Sequence, residues 1–483
     1  MHVDVPQTFC LGAAARRDIT PPVGIYHRMW GAATHDRSTG VHRPLAATAL
    51  ALAPDGEKSG DTRASAQVVV AVDHCLFWSD EMDRLRAAVA GACGLAVDQF
   101  HVAMSHTHAA GLMDRDRAPL AGGELIEPYL DLLRERVIEA VGEALAALRP
   151  VRIVYGAARS ALAANRDFWD AESKLFACGF NPSGPSDDTL LAARVADEQG
   201  QVVATVVNYA CHPTTLAWQN TLVSPDYVGA MREVVEAATD APCVFLQGAS
   251  GDLGPREGYV GDVAVADRNG RALGYAALSA LESLAAAGTR FEYTGPVLSG
   301  ATLGTWGYRP LAAEELCAKY RWLSASFDVP LAYRPDLPNR DECEAQRAHW
   351  LREEEAALER GDAAQARDCR AQAERMTRAL GRLRALPPGE SVPVNVSVWR
   401  LGDAFWVFLA GEYYHALQRA LRERFPRHPI VVATVTDGWR PGYVPTAETF
   451  GKGIYQESIA AVAPGSLERM IDVLTEKLAA WEA

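Results

Sequence analysis

The chain of 483 residues lacks any excess of basic charge: 47 Lys and Arg stand against 61 Asp and Glu, a formal net charge of −14. No Lys/Arg-rich tail or stripe occurs, so the electrostatic footprint of a nucleic-acid binder is missing. A strongly anionic membrane surface is disfavoured for the same reason. There is no CxxC pair; the nine cysteines are odd in number and scattered, several inside apolar runs such as "APCVF" and "NYACHP". That usage predicts reduced, mostly buried thiols and a reducing compartment. No apolar run approaches the roughly 20 residues of a membrane span. The opening "MHVDVPQTFCLGAAARRDITPP" has no basic stretch followed by an apolar one, so no secretory leader is read there. The expectation is a soluble, cytoplasmic protein. No repeat and no long Gly/Ser/Pro linker appears, which favours one interrupted domain over two tethered ones.

What is present is an alternation of strand and helix signals. Residues 66–73, 101–106, 151–158, 189–197, 201–211 and 241–248 read as strands. Residues 80–92, 124–148, 225–238 and 264–287 have helical spacing. The pattern returns at 392–438 and closes with a helix at 466–483. It predicts an α/β fold whose sheet is mixed or mainly parallel and flanked by helices. Residues 310–385 differ: they are charged, Ala-rich and helical in spacing, with signs that alternate as on a solvated face. They are read as a helical insertion, a hairpin broken near Gly361 and Asp362, with decoration, oligomer contact or a lid as its role. The rest, 1–309 plus 386–483, forms the main domain.

Four segments share one form, an apolar strand running into a polar motif: "VAMSHTHAAG", "VVNYACHPTTL", "VFLQGASGDLGP" and "WVFLAGEYYHAL". Polar groups at strand C-termini converge on one sheet edge in α/β folds. His106, His108, His212, Asp252 and Glu412 are therefore expected to meet. If 102–108 is one strand, His106 and His108 point to the same side. Two imidazoles and a carboxylate are a recognised catalytic zinc set. The loop "TDGWRPGYVPT" adds Tyr443, and "AANRDFWD" adds Arg166. Each residue also has a structural reading: a capped turn for His212, a helix-dipole partner for Glu412, a packed loop aromatic for Tyr443, and an ion pair with Asp167 or Asp170 for Arg166.

Taken together, "RRDITPPVG", "VAVDHCLFW", "SHTHAAG", "NRDFWD", "NYACHPTTL", "NTLVSPDY", "GDLGP", "GEYYHAL" and "GYVPT" resemble the neutral/alkaline ceramidase family of zinc-dependent amidases, in that family's order from about residue 10 to 456. The resemblance implies one zinc ion held by His106, His212, Glu412 and Tyr443. It places His108 and Arg166 beside the metal to handle a proton and the substrate carbonyl, with Tyr443 as a further candidate for oxyanion contact. It implies cleavage of the C–N amide of a small N-acyl substrate by metal-activated water.

The sequence departs from the family in three ways. Gly254 stands where the "GD" motif usually carries a serine, and Ser250 is not a match; acyl-serine chemistry at that place is excluded. The chain stops soon after "GYVPT", so no C-terminal β-sandwich domain is expected. Trp169, Trp218 and Trp439 near the motifs suit a flat or ring-shaped ligand better than a lipid tunnel, and ceramide itself is not the expected substrate. A metal-dependent esterase, lactonase or carbohydrate-acting hydrolase, a (β/α)₈ amidohydrolase and a non-catalytic metal-binding protein are the alternatives. A homo-oligomer is compatible with the sequence.

Overall fold

The continuous apolar runs of the sequence become strands buried on both faces. The computed structural model describes residues 1–55 and 63–482; residues 56–62 and 483, which fall inside the expected main domain, lie outside the described residues. Eight strands form the larger sheet: β1 (Gln7–Asp18), β2 (Ala46–Ala53), β3 (Gln67–Val72), β4 (Phe100–Met104), β5 (Arg149–Arg159), β6 (Thr189–Asp197), β7 (Val202–Tyr209) and β8 (Cys243–Gln247). Their order is β8-β7-β6-β5-β1-β2-β3-β4. The sheet is mixed, as expected. Its outermost pairs, β7–β8 and β3–β4, are parallel, and the pairs between them are antiparallel.

A second, four-stranded sheet packs on the first: β9 (Trp322–Ala332), β10 (Ser391–Leu401), β11 (Ala404–Leu409) and β12 (Ile430–Ala433), in that order. Alternation along each strand divides its side chains between two cores. In β2, Leu50 and Leu52 face the second sheet while Ala49, Ala51 and Ala53 face helices. In β11, Trp406 and Phe408 meet the first sheet while Phe405, Val407 and Leu409 face helices on the other side. The helices α1 (Ser79–Cys93), α2 (Ile126–Ala146), α3 (Tyr227–Thr239) and α4 (Val263–Glu282) cover the larger sheet. Helices α7 (Ala416–Arg424) and α8 (Ser466–Glu482) cover the smaller one. The result is a four-layer helix–sheet–sheet–helix arrangement. Buried thiols such as Cys10, Cys211 and Cys243 sit free in these cores. Among the described residues no helix is long and apolar enough to cross a membrane.

The larger sheet curls until its edge strands approach one another. The chain after β12 runs between them: Thr434 N donates to Gln247 O on β8 (2.9 Å), and Met104 N on β4 donates to Val435 O (3.3 Å). This brings the C-terminal ends of β4, β7, β8, β11 and β12 to one place.

Within 310–385 the helical expectation is corrected in part. Residues 313–319 are helical, but 322–332 is β9, an edge strand paired antiparallel with β10 along its whole length. The alternation that decides it is Phe327, Val329 and Leu331, which face α8 and the core beneath it. The helical hairpin is α5 (Arg340–Glu359) and α6 (Ala363–Ala385). It breaks at Gly361, which takes φ 73°, and Asp362 caps α6 by accepting from Gln365 N (3.0 Å). The hairpin packs on the segment between β4 and α2 through a bidentate ion pair, Arg117 to Glu374 at 2.8 Å for both bonds.

Candidate metal centre

Three strand ends deliver the central residues. Strand β4 ends at Met104, and His106 then takes a left-handed backbone (φ 67°). For a residue with a Cβ that conformation costs of order 1–3 kcal/mol and persists only where the surroundings enforce it. His106 N donates to His74 O (2.9 Å), and His108 N donates to Pro213 O (3.3 Å). The expectation that His106 and His108 share one face of a strand is therefore corrected. They meet through a turn instead, their rings edge to face with centroids 5.0 Å apart. His212 follows β7, held by its N–H on Leu253 O (3.1 Å). Glu412 follows β11 and pairs in parallel with Tyr443. Gly411 precedes it at φ 91°, where a Cβ would lie 2.9 Å from Gly442 O. Only glycine lets these two segments come so close.

The geometry around Glu412 is specific. Its Oε2 lies 2.7 Å from His212 Nε2 and 3.3 Å from His106 Nε2. Each imidazole has its other nitrogen engaged by a carbonyl: His212 Nδ1 donates to Ser250 O (2.7 Å) and Leu253 O (3.1 Å), and His106 Nδ1 to Cys75 O (2.7 Å). A carbonyl only accepts, so Nδ1 carries a proton on each ring, and Nε2 is the nitrogen left to meet a cation. Two Nε2 atoms then face one carboxylate oxygen, an arrangement that a positive charge between them, carried by a proton or by a metal ion, completes. Trp439 Nε1 donates to the other oxygen, Oε1.

The electrostatics agree. Burial alone would raise the Glu412 pKa, but His106 and His212 hold it well below the usual range. Burial, then Arg166, pushes His212 down to about 4. Burial would lower His106 too, yet Cys75 and Glu412 outweigh it and raise its pKa: the field that draws a proton there would equally hold a cation. Burial first, and then the two other imidazoles, keep His108 well below its ordinary value.

These residues fit a divalent cation. The ligating atoms of His106, His212 and Glu412 lie within 4.8 Å of one another, and His106 Nε2 is buried without a hydrogen-bond partner. His donors with one carboxylate match zinc and are compatible with other transition metals. A second grouping, Cys75, His106 and His108, shares one histidine with the first.

The remaining expected residues fall into two groups. Tyr443 is brought in: its OH is 3.4 Å from His212 Nε2 and accepts from Arg166 Nη2 (2.9 Å). Arg166 also donates to Gly251 O (2.7 Å), and its Nε is buried without a partner; neither Asp167 nor Asp170 pairs with it. His108 Nε2 is likewise buried and unpartnered. Asp252 is not at the centre. It accepts from His415 N (2.9 Å) and His415 Nδ1 (2.6 Å), fixing the turn that leads from Glu412 into α7. Trp169 is exposed and packs on Phe176, away from the metal residues. Trp30 and Tyr259 were not singled out by the sequence. Trp30 packs on His108 (5.2 Å), Trp218 (6.3 Å) and Tyr259 (5.6 Å). Trp30 sits some seventy-five residues before His106, so no local pattern links it to the site.

Solved structures with this architecture include two ceramidases. The neutral ceramidase from Pseudomonas aeruginosa superposes with a TM-score of 0.62 at 15% identity, over 98% of this chain and 74% of that one. The chain shares the neutral ceramidase fold. A structure described as ceramidase complexed with C2 gives a TM-score of 0.61, again at 15% identity and with the same coverage. No protein-family model matches the sequence, and a search of curated proteins returns no match.

Proposed function

We propose that this protein is a metal-dependent hydrolase that cleaves the C–N amide bond of a small N-acyl compound, with one zinc ion per chain. The observation that carries this reading is Glu412 Oε2 facing two imidazole nitrogens whose partner nitrogens are already donating to carbonyls. His106, His212 and Glu412 would hold the ion, with Tyr443 as a fourth oxygen ligand or as a donor beside it. When bound, zinc supplies a Lewis acid for the carbonyl and makes water a better nucleophile near neutral pH. Trp439 fixes the Glu412 carboxylate through Oε1. Arg166 orients the Tyr443 phenol, whose pKa burial raises well above its ordinary value, so the O–H stays available to donate. Tyr443 and Arg166 face the position where negative charge develops on the carbonyl oxygen. His108, whose pKa burial keeps low, would take a proton from the attacking water at Nε2 and return it to the departing amine nitrogen as the C–N bond breaks. Trp30, Trp218 and Tyr259 wall the approach beside His108. The α5–α6 hairpin is read as an insertion carried by the metallohydrolase domain, formed by 1–309 and 386–483 together with β9.

The test is a panel of amides and matched esters with metal-loaded and chelated protein. Chelator-sensitive release of amine from an amide supports the proposal. Turnover of esters alone would replace it with an esterase, and turnover that survives complete metal removal would overturn it.

A further inference from the structure

Helix α6 carries a cationic face that the chemistry above does not use. Arg375, Arg378 and Arg382 fall at helical spacing on one side of it. The other arginines of the helix are paired: Arg367 with Asp368, Arg370 with Glu354 and Arg384 with Asp116. Arg378 shares Glu374 with Arg117 and also donates to Met29 O. Arg375 and Arg382 have no hydrogen bond and no ion pair among the described residues. Glu374 is thus taken up by Arg117 and Arg378, and Arg382, which lies within the field of Arg378 and Arg375, has no carboxylate of its own.

Three contacts tie this face to the metal centre. Tyr455 lies against Tyr443 (ring centroids 5.9 Å), within the electrostatic reach of Arg378 as well as of Arg166 and Glu412. Arg382 shares a cleft with Trp439 and Pro441, and Trp439 is the residue that donates to Glu412. Ala371 of the same helix packs on Gly31, next to the Trp30 that stacks on His108. Burial, countered by Tyr455 and reinforced by Arg378 and Arg375, pushes the Arg382 pKa down to about 10. The group remains charged at neutral pH, but it is a cation short of a counter-ion. Clustered like charges without partners are costly unless an anion completes them, and planar guanidinium groups favour bidentate oxyanions.

Building on the hydrolase reading, we infer that Arg382 and Arg375 are specificity residues that bind an anionic group, a carboxylate or phosphate, on the substrate distal to the scissile amide. The substrate class is then an acidic N-acyl compound rather than a neutral one.

The test uses metal-loaded full-length protein and three amides with one acyl group: an N-acylethanolamine, an N-acylglycine and an N-acylphosphoethanolamine. The expected result is a preference in kcat/KM for one or both anionic amides over the neutral one, on the order of tenfold or more. In Arg382→Gln and in the exposed Arg375→Gln the anionic-to-neutral ratio should collapse toward one, while Arg382→Lys keeps most of it. The glycine and phosphate arms show which oxyanion is preferred. Equal kcat/KM for neutral and anionic amides, or an unchanged ratio in folded Arg382→Gln, would overturn the inference and leave the hydrolase intact. Calorimetric binding of the same amides separates the two ideas if none is hydrolysed. Tighter binding of an anionic amide that is lost in Arg382→Gln would uphold the anion site without the hydrolase. Equal binding would remove it.

Discussion

At the scale of single residues, the account turns on which nitrogen carries which proton. His106→Ala or His212→Ala removes a ligand and should abolish both bound metal and activity, read by elemental analysis beside the amide assay. His108→Ala and Arg166→Ala should keep the metal and lose turnover, by about 10²–10³ for a donor to the developing oxyanion. Full activity in Arg166→Ala on the true substrate would refute that role. Trp439→Phe keeps the ring and deletes the N–H on Glu412; metal affinity should fall about 10–100-fold, measured by competition with a chelator. Gly254 offers a contrasting case. A Cβ there meets nothing nearer than 3.8 Å, at Arg166 Cδ and Thr214 Oγ1. Gly254→Ser should therefore fold, read as a retained cooperative unfolding transition. The lack of a side chain at that position is not imposed by packing.

At the scale of elements, the hairpin is the part whose attachment depends on charge. Burial would raise the Glu374 pKa, but Arg378 and Arg117 outweigh it and hold it at about 2, against an ordinary 4.5. A carboxyl depressed in the folded state stabilises above its unfolded pKa and loses that contribution as pH falls through the folded one. The window is thus about pH 4.5 down to about 2, worth about 3 kcal/mol. Denaturant titrations at pH 6 and pH 3 should show the loss, and Glu374→Gln should lack most of this acid sensitivity while being less stable at neutral pH. The same elements show what a sequence makes legible. Helices with long apolar periodicity, such as α2 and α8, and the break at Gly361 are readable because the signal is local. Strand β9 is not, since its charged flanks mimic a solvated helix and its partner β10 lies about seventy residues away. His106 and His108 were foreseen as a pair, but the left-handed turn that joins them is dictated by His74, Cys75 and Pro213 across the sheet. Trp30 and Tyr259 were invisible for the same reason: their role arises only from folding.

At the scale of the whole molecule, two sheets stacked between helices leave one end where parallel strand pairs terminate together. The motifs signalled convergence; the curling of the larger sheet and the bridging chain 434–437, which make it happen, rest on long-range pairing that no window of sequence reveals. Because His106, His212 and Glu412 come from three distant segments, a bound ion links all of them only in the folded chain. Metal removal should therefore lower the unfolding temperature, and re-addition should restore it. The most direct measurement is X-ray absorption at the zinc edge of the purified, zinc-reconstituted protein, together with zinc per chain. The expected result is about one zinc per chain with a shell of nitrogen and oxygen only, lost in His212→Ala. A sulfur ligand would place the ion at Cys75, His106 and His108 instead, and no bound metal after reconstitution would contradict the hydrolase altogether.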